Sequence, residues 1–361
     1  MSNYLITLSP IGKFFFGGDM TFTVNGKETE YTSYIIKSNK FPQQTSLLGM
    51  LRFLMVSNSS KTIFSNGHIV HEYGSAQLIG YNSFRVNQQH QENNYRKIKR
   101  LSPCRLQKEC AGHWFDLYVA PADYGMNVDF ENVTSASLNG KAVEIPKMDY
   151  SAKDYGEPMY ICAACAKIME STIFRRDIRN GINRDIKTGL VADDALFKEV
   201  SYQLERGYRF AFEAEVDDLS GISEHRKTIA DYSGQVVKIG ANSSMFVIGI
   251  EEKKNEKSAE SASGKRLVLS SPAFLTDEDM QYVRFAVAQA IPFRCIQTDV
   301  TTTNYNCTNP KNTYSKKYNL YNTGSVFYFK NSSDCNNFAN ALKKKKDFSQ
   351  IGYNHYEIIN L

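Results

Sequence analysis

The sequence predicts an α+β protein built as two domains. Three observations carry that expectation. Most apolar stretches alternate at period two, as strands do; a few repeat at helical spacing; and 361 residues exceed what one hydrophobic core usually serves. The boundary is expected near residue 217, where Glu213, Glu215, Asp217 and Asp218 precede Ser220-Gly221, giving units 1–217 and 218–361.

In chain order, Tyr4 to Leu8 reads as a first strand closed by Ser9-Pro10. Gly12 to Gly18 then sets glycines around three phenylalanines. Such a run fits close approach to a flat or phosphate-bearing ligand, and equally a core strand with glycine turns. Leu47, Leu48, Leu51, Leu54 and Met55 fall at helical spacing after Pro42, with Ser46 able to cap the helix. Gly49 inside it costs about 1 kcal/mol relative to Ala, which suggests close backbone packing or ligand approach. Residues 58–72 look irregular, Ala76 to Ile79 a short strand, and Trp114 to Val119 another. Between the last two, Arg96, Lys97, Lys99, Arg100 and Arg105 form a basic run that suits either a solvated loop or a contact to RNA or a neighbouring subunit. Pro158 to Glu170 is expected to be helical.

The charge is most concentrated from Ile173 onward. At period two, Ile178, Ile182 and Ile186 share a side with Arg176 and Arg184, while Asp177, Arg179, Asn183, Asp185 and Lys187 face the other way. Lys187-Thr188-Gly189 supplies a turn, and Leu196, Val200, Tyr202 and Leu204 alternate along a returning strand. A basic hairpin over 173–205 therefore feeds a strand of Tyr208, Phe210 and Phe212. Arg175, Arg176, Arg179, Arg184 and Lys187 against Asp177 and Asp185 suit a polyanion; an exposed charged hairpin without a partner is the plain alternative.

In the second half, Gly240, Asn242, Ser243 and Ser244 can form an anion-binding concavity or an ordinary tight turn before a strand from Met245 to Ile250. Residues 251–266 carry no apolar period and read as a flexible insertion. Leu267 to Phe274 resumes the sheet, Asp277 to Ala290 is expected to be helical, and Asn322 to Phe329 gives a turn and a β-prone strand. Ser332 or Ser333 can cap a last helix ending in Lys343 to Lys346, where four cations suit the macrodipole of a solvated helix end. Residues 351–355 close as a strand.

Composition narrows the function. The content of 42% hydrophobic residues, with 22 Phe and 22 Tyr, suffices for real cores, and a net charge of +5 is too small to make the whole chain a nucleic-acid binder. Distribution decides instead. No basic segment precedes an apolar run at the start, and no stretch is long enough to span a bilayer, so a cytoplasmic location without a membrane partner is expected. An odd number of cysteines, seven, fits reduced thiols.

The order Arg179-Asn180-Gly181-Ile182-Asn183-Arg184, a Thr188-Gly189 turn and a Leu196-Phe197 to Tyr202 strand resembles the protruding hairpin of RAMP proteins in type III CRISPR-Cas effector complexes. Phe41-Pro42-Gln43-Gln44-Thr45-Ser46-Leu47-Leu48-Gly49-Met50-Leu51-Arg52 resembles the proline-led first helix of the third subunit in type III-B (Cmr) complexes. Gly324-Ser325-Val326 is similar to the glycine-rich loop near the C-terminus of RAMP proteins. Gly240 and its neighbours are similar to the loop before a strand in that subunit, with Ala241 where the family more often has a second Gly.

The resemblance implies two ferredoxin-like (RRM-like) domains, a protruding basic hairpin, and a non-catalytic subunit that caps the 5′ repeat-derived tag of a CRISPR RNA. Its implied partners are that RNA, target RNA near the tag-guide junction, a polymerase-like large subunit and an adjacent RAMP backbone subunit. Arg175, Arg176, Arg179, Arg184 and Lys187 are expected on phosphates, Asn183 on backbone or base edges, and Asn322, Gly324 and Ser325 around the tag. Gln44, Ser46 and Arg52 from the first helix, and Gly240, Asn242 and Ser243, complete the RNA-binding set.

Two further chemistries bear on these residues. Cys162-Ala163-Ala164-Cys165 has zinc-knuckle spacing that Cys104, Cys110 or His113 could complete as a structural site, and the same cysteines suit a helix core. A repeat-processing endoribonuclease is the alternative function, but the six histidines show no motif for taking a 2′-OH proton. No phosphate-binding loop or nucleophile elbow is present, so no enzyme activity and no cofactor are expected.

Overall fold

The computed structural model describes residues 2–18, 20–24, 31–70, 72–86, 93–138, 141–149, 158–164, 166–184, 187–189, 191–219, 228–242, 244–254, 264–298 and 312–359. Strands β1 (Ser2–Pro10), β2 (Met20–Val24) and β3 (Tyr31–Lys37) precede helix α1 (Gln44–Ser57), the short β4 (Phe64–Ser65) and β5 (His68–Ile69), and helix α2 (Glu72–Ile79). Next come β6 (Ile98–Leu101), β7 (Arg105–Cys110), β8 (His113–Val119), β9 (Val128–Leu138), β10 (Lys141–Met148), β11 (Met159–Cys162) and β12 (Ala166–Met169). Strands β13 (Phe174–Arg184), β14 (Val191–Leu204), β15 (Tyr208–Val216), β16 (Val236–Lys238), β17 (Met245–Lys253) and β18 (Arg266–Leu269) lead to helix α3 (Asp277–Met280). The chain ends with β19 (Phe285–Val287), β20 (Ala290–Phe293), β21 (Ile296–Thr298), β22 (Asn312–Tyr314), β23 (Tyr318–Tyr321), β24 (Val326–Tyr328), α4 (Ser332–Lys344), α5 (Lys346–Gln350) and β25 (Tyr356–Ile359).

The architecture is strand-rich α+β. A nine-stranded sheet in the order β12-β11-β8-β7-β15-β1-β17-β16, with β6 also on β15, forms its centre. β1 lies between β15 and β17 with its Ile6–Leu8 face apolar and matched on both neighbours. Ile6 stands opposite Phe212 and Ile250, and Leu8 opposite Phe210 and Ile248, all essentially inaccessible to solvent. Burying each such side chain contributes about 1.5–3 kcal/mol. Leu47, Leu51, Leu54 and Met55 of α1 join the same core. The boundary expected near residue 217 falls between β15 and β16, two strands of this sheet.

A second sheet, β13-β14-β3-β2, carries the basic arm, and a third, β19-β24-β18-β25, packs on α4 through Leu267, Phe327, Phe338 and Leu342. Among the described residues no helix is long and apolar enough to cross a membrane.

Several sequence expectations are corrected. Residues 158–170 are no helix: β11 and β12 form a hairpin on the outer edge of β8, Tyr160 opposite both Val119 and Ile168. Sheet extension outweighs the helix propensity of Ala and Met here. The helix starting at Asp277 has its capping box, Thr276 with Asp279, but stops at Met280. Beyond it the Arg284 amide donates to the Tyr328 carbonyl and β19 pairs with β24, consuming an edge that a helix would leave open.

Ala76 to Ile79 belongs to α2, which stops at Gly80 with φ +78°, a left-handed C-terminal residue. Within residues 58–72, Asn66 (φ +50°) and Gly67 (φ +80°) turn the β4–β5 hairpin, as an Asn-Gly pair favours. Gln43, not Ser46, occupies the cap position of α1, without a side-chain bond, while Asn331 rather than Ser332 or Ser333 caps α4 by accepting from the Asp334 amide at 2.8 Å. Space beside Gly49 is open, with nothing within 4 Å of an added Cβ, so no close approach requires it. The last strand is β25, after residues 351–355. Of the expected insertion 251–266, Glu251 to Lys253 extend β17 and Arg266 opens β18, while 255–263 lie outside the described residues.

Candidate nucleic-acid interface

β13 and β14 run antiparallel with Arg175 opposite Gln203, Arg176 opposite Tyr202, Ile178 opposite Val200 and Arg179 opposite Glu199. β14 in turn pairs parallel with β3, so β13 is the outer strand of its sheet. Arg175, Arg176 and Arg179 are exposed along it. Arg175 also reaches across to the Gln203 side-chain oxygen. Ile178 and Ile182, 48% and 50% exposed, share the face of Arg176, making that face both apolar and basic. The ladder shifts register between Ile182 and Arg184, and the backbone of β13 carries Asn183 and Arg184 past that irregularity. Lys187 is exposed in the turn.

Sequence dictates one close contact within the arm. A Cβ at Gly181 would lie 2.1 Å from Cζ of Phe197, whose ring covers the glycine and stacks on Tyr34 at 5.6 Å and 14°. Only a residue without a side chain lets that ring lie flat across β13.

The arm is anchored at its base by three segments distant in sequence. Phe14 bridges to Tyr202, its amide donating to the Tyr202 carbonyl at 2.7 Å. Lys13 Nζ lies 3.3 Å from Asp177 Oδ1. Lys40 contacts the buried Glu170 carboxylate and stands over the Phe174 and Tyr202 rings at 5.8 and 5.6 Å. Glu170 also accepts from the Tyr160 hydroxyl at 3.3 Å, and burial, then this carboxylate, raises the Tyr160 pKa well above the ordinary phenol value. Sequence reading missed the Lys40–Glu170–Tyr160 cluster because Lys40 lies 130 residues before Glu170, far from the β11–β12 hairpin region that supplies the other two.

The turn at 240–244 joins this base. Gly240 has φ +88° and its missing Cβ would fall 2.2 Å from the Phe15 carbonyl oxygen. The Ala241 amide donates to that oxygen at 2.8 Å, and Ser244 Oγ accepts from the Phe15 amide at 2.9 Å. Asn242 donates to Glu199 Oε2 on β14 at 2.8 Å. The close partner of this turn is thus the Phe14–Phe16 run, itself buried in the core. Ser243 lies outside the described residues.

The remaining expected residues are placed elsewhere. Gln44 is 4% exposed and donates to the Ser102 carbonyl at 2.9 Å, so its amide is not offered to a surface ligand. Arg52 donates to the Gly80 carbonyl at 3.1 Å, and burial lowers its pKa. Ser46 is exposed on α1. Gly324 and Ser325 sit in the turn before β24, against the chain at 120–122: the Gly324 amide donates to the Leu269 carbonyl, its own carbonyl accepts from the Ala122 amide at 2.8 Å, and an added Cβ would meet the Ala120 oxygen at 3.0 Å. Ser325 is 2% exposed, and Asn322 Nδ2 donates to the Gln289 side chain at 3.4 Å.

The described members of the zinc set are not gathered into a site. Among the described residues no three His, Cys, Asp or Glu side chains gather as a metal site. Cys110 is disulfide-bonded, which also corrects the expectation of wholly reduced thiols. Cys104 and Cys162 are free, and burial pushes the Cys104 thiol up to about 12, against the thiolate that zinc requires. Cys165 lies outside the described residues.

These features define a strand-rich α+β protein that presents a basic outer strand held from three sides. The model of the family described as CRISPR-associated protein (Cas_Cmr3) matches residues 133–361, and the chain belongs to that family, a component of type III CRISPR effector complexes. A chain in the cryo-EM structure of the type III-B Cmr-beta bound to cognate target RNA is similar in fold, at 14% identity over 99% of this chain and 96% of that chain, TM-score 0.51. Two others are more distant. One, in the type III-B Cmr-beta bound to cognate target RNA and AMPPnP, state 1, has 13% identity, 97% and 94% coverage and a TM-score of 0.49. The other, in the crystal structure of the Csm3-Csm4 subcomplex of the type III-A CRISPR-Cas interference complex, has 11% identity, 90% and 92% coverage and a TM-score of 0.37. No curated protein matches the sequence.

Proposed function

We propose that this chain is a non-catalytic RNA-binding subunit of a cytoplasmic type III-B Cmr complex, capping the 5′ repeat-derived tag of the CRISPR RNA. In this reading it docks the polymerase-like large subunit and an adjacent RAMP backbone subunit through two ferredoxin-like domains divided near residue 217. The observation that carries it is the row Arg175, Arg176 and Arg179 on an outer strand whose base is fixed by Lys13, Lys40 and Asn242. A strand fixed at its base presents Arg175 and Arg179 on one face and Arg176 on the other, cations that suit the phosphates of a strand laid along it. The apolar Ile178 and Ile182 then lie against bases where guide pairing ends, so that the arm acts as a wedge between tag and target RNA. Asn183, Arg184 and Lys187, next along the sequence, add to these contacts in this reading.

Fluorescence anisotropy with a tag-bearing CRISPR RNA tests this. The triple variant Arg175→Ala, Arg176→Ala, Arg179→Ala should weaken binding at least about tenfold and lower the salt slope by about 2, from about 0.7 per phosphate contact. An unchanged slope would favour a protein-only scaffold. Specific cleavage of repeat RNA by the purified chain would favour the endoribonuclease instead.

A further inference from the structure

Away from the arm, a cleft of about 1700 Å³ opens between the segment around β6 and the corner joining α4 to α5. Its lining includes seven Lys and Arg residues and three acids, Glu215, Asp347 and Glu357. Two cations have partners: Lys99 pairs with Asp217 at 3.0 Å, and Lys345 contacts Asp279. Arg96, Arg100, Lys343, Lys344 and Lys346 remain on two facing walls, and the Gln350 side chain ties those walls together by donating to the Lys99 carbonyl at 3.1 Å.

Local helix physics accounts for only part of this charge. Lys343 and Lys344 complement the negative end of α4, but Lys346 opens α5, where a helix prefers an acid. Arg96 holds φ +55°, a backbone conformation that ordinary residues avoid, and its amide is fixed by the Asn94 side-chain oxygen at 2.9 Å. Burial and then the charge of Arg100 push His355 in the same cleft down to about 4.

We propose that this cleft is a second seat for a nucleic-acid backbone, separate from the hairpin arm and indifferent to base sequence. Its cations offer donors only, and its amide side chains are already engaged: Asn354 with the Phe274 amide and the Leu342 carbonyl, Asn94 with Arg96, Gln350 with Lys99. A phosphodiester strand brings acceptors alone and fits that inventory. An acidic peptide would bring N–H donors that the three acids Glu215, Asp347 and Glu357 could take up, but five cations there call for acceptors alone.

The test is titration of the full chain with a 5′-labelled uridine homopolymer of about 20 nucleotides across a salt series. Two variants probe the two walls: Lys343→Gln with Lys344→Gln and Lys346→Gln, and Arg96→Gln with Arg100→Gln. Unchanged thermal melts establish that each is folded. The lysine variant should lower the salt slope by about 2 and the arginine variant by about 1, and either combined with the arm variant should weaken binding beyond the arm variant alone. Slopes equal to that of the parent in both would overturn the proposal. So would tighter, lysine-dependent binding of polyglutamate than of the homopolymer, which would assign the cleft to a protein partner. Because the arm is read by its own variant and a tag-bearing RNA, failure here leaves the tag reading standing, and the converse holds.

Discussion

Asn242 Nδ2 donates to Glu199 Oε2 across 2.8 Å, tying the turn after β16 to the long returning strand of the basic arm. Asn242 holds φ +54°, which Asn tolerates better than most residues. Asn242→Gly keeps that backbone and loses the bond, at an expected cost of about 0.5–1 kcal/mol. Asn242→Val adds left-handed strain of about 1–2 kcal/mol. Urea midpoints of the two variants should fall in that order.

Arg266 grips Asp123 with Nε to Oδ2 at 2.9 Å and Nη2 to Oδ1 at 2.6 Å, and the Tyr328 hydroxyl also donates to this carboxylate. Both partners are largely buried, with side chains 14% and 5% exposed. Arg266→Met should cost about 3–5 kcal/mol because it strands the carboxylate, and adding Asp123→Asn should restore part of the loss. A double-mutant cycle by chemical denaturation measures that coupling.

Glycine substitutions should separate cleanly. Gly240→Ala sets a Cβ 2.2 Å from the Phe15 carbonyl at φ +88° and should prevent stable folding. Gly49→Ala meets open space within α1 and should stabilise the protein by about 1 kcal/mol. Thermal melts decide both.

His355 gives a pH dependence of definite sign. Its folded pKa of about 4 lies below the ordinary value of 6.5, so above pH 6.5 it is neutral in both states and favours neither. As pH falls from 6.5 to 4 the unfolded chain takes a proton that the folded one refuses, and stability drops by roughly 3 kcal/mol. The loss in stability between pH 7 and pH 4 should be smaller in His355→Gln by about that amount.

Sequence made the strands readable where β-prone apolar residues cluster: β1, β8 and β17 lie where expected, and β17 shows the clearest period-two burial. It failed where a neighbouring strand decided the outcome. Met159 to Met169 has helix-tolerant composition, yet the open edge of β8 takes it as a hairpin, and Phe285 to Val287 completes the sheet beside β24. In the candidate site, the concentration of Arg175, Arg176 and Arg179 was legible because charge survives as a pattern in one dimension. Gly240 and Gly324 were not. A turn that cradles an anion and one that admits another carbonyl carry the same glycine, and only the positions of Phe15 and Ala120 tell them apart.

As the outer strand of its sheet, β13 has one row of backbone groups that no described strand takes up. Such a border invites a second copy to stack on it, and long cationic side chains are a common deterrent. Arg175, Arg176 and Arg179 therefore guard solubility as well as face a ligand. Stripping them should favour self-association, visible as a concentration-dependent rise in apparent mass, so an RNA-binding defect in that variant is interpretable only on material shown to remain monodisperse.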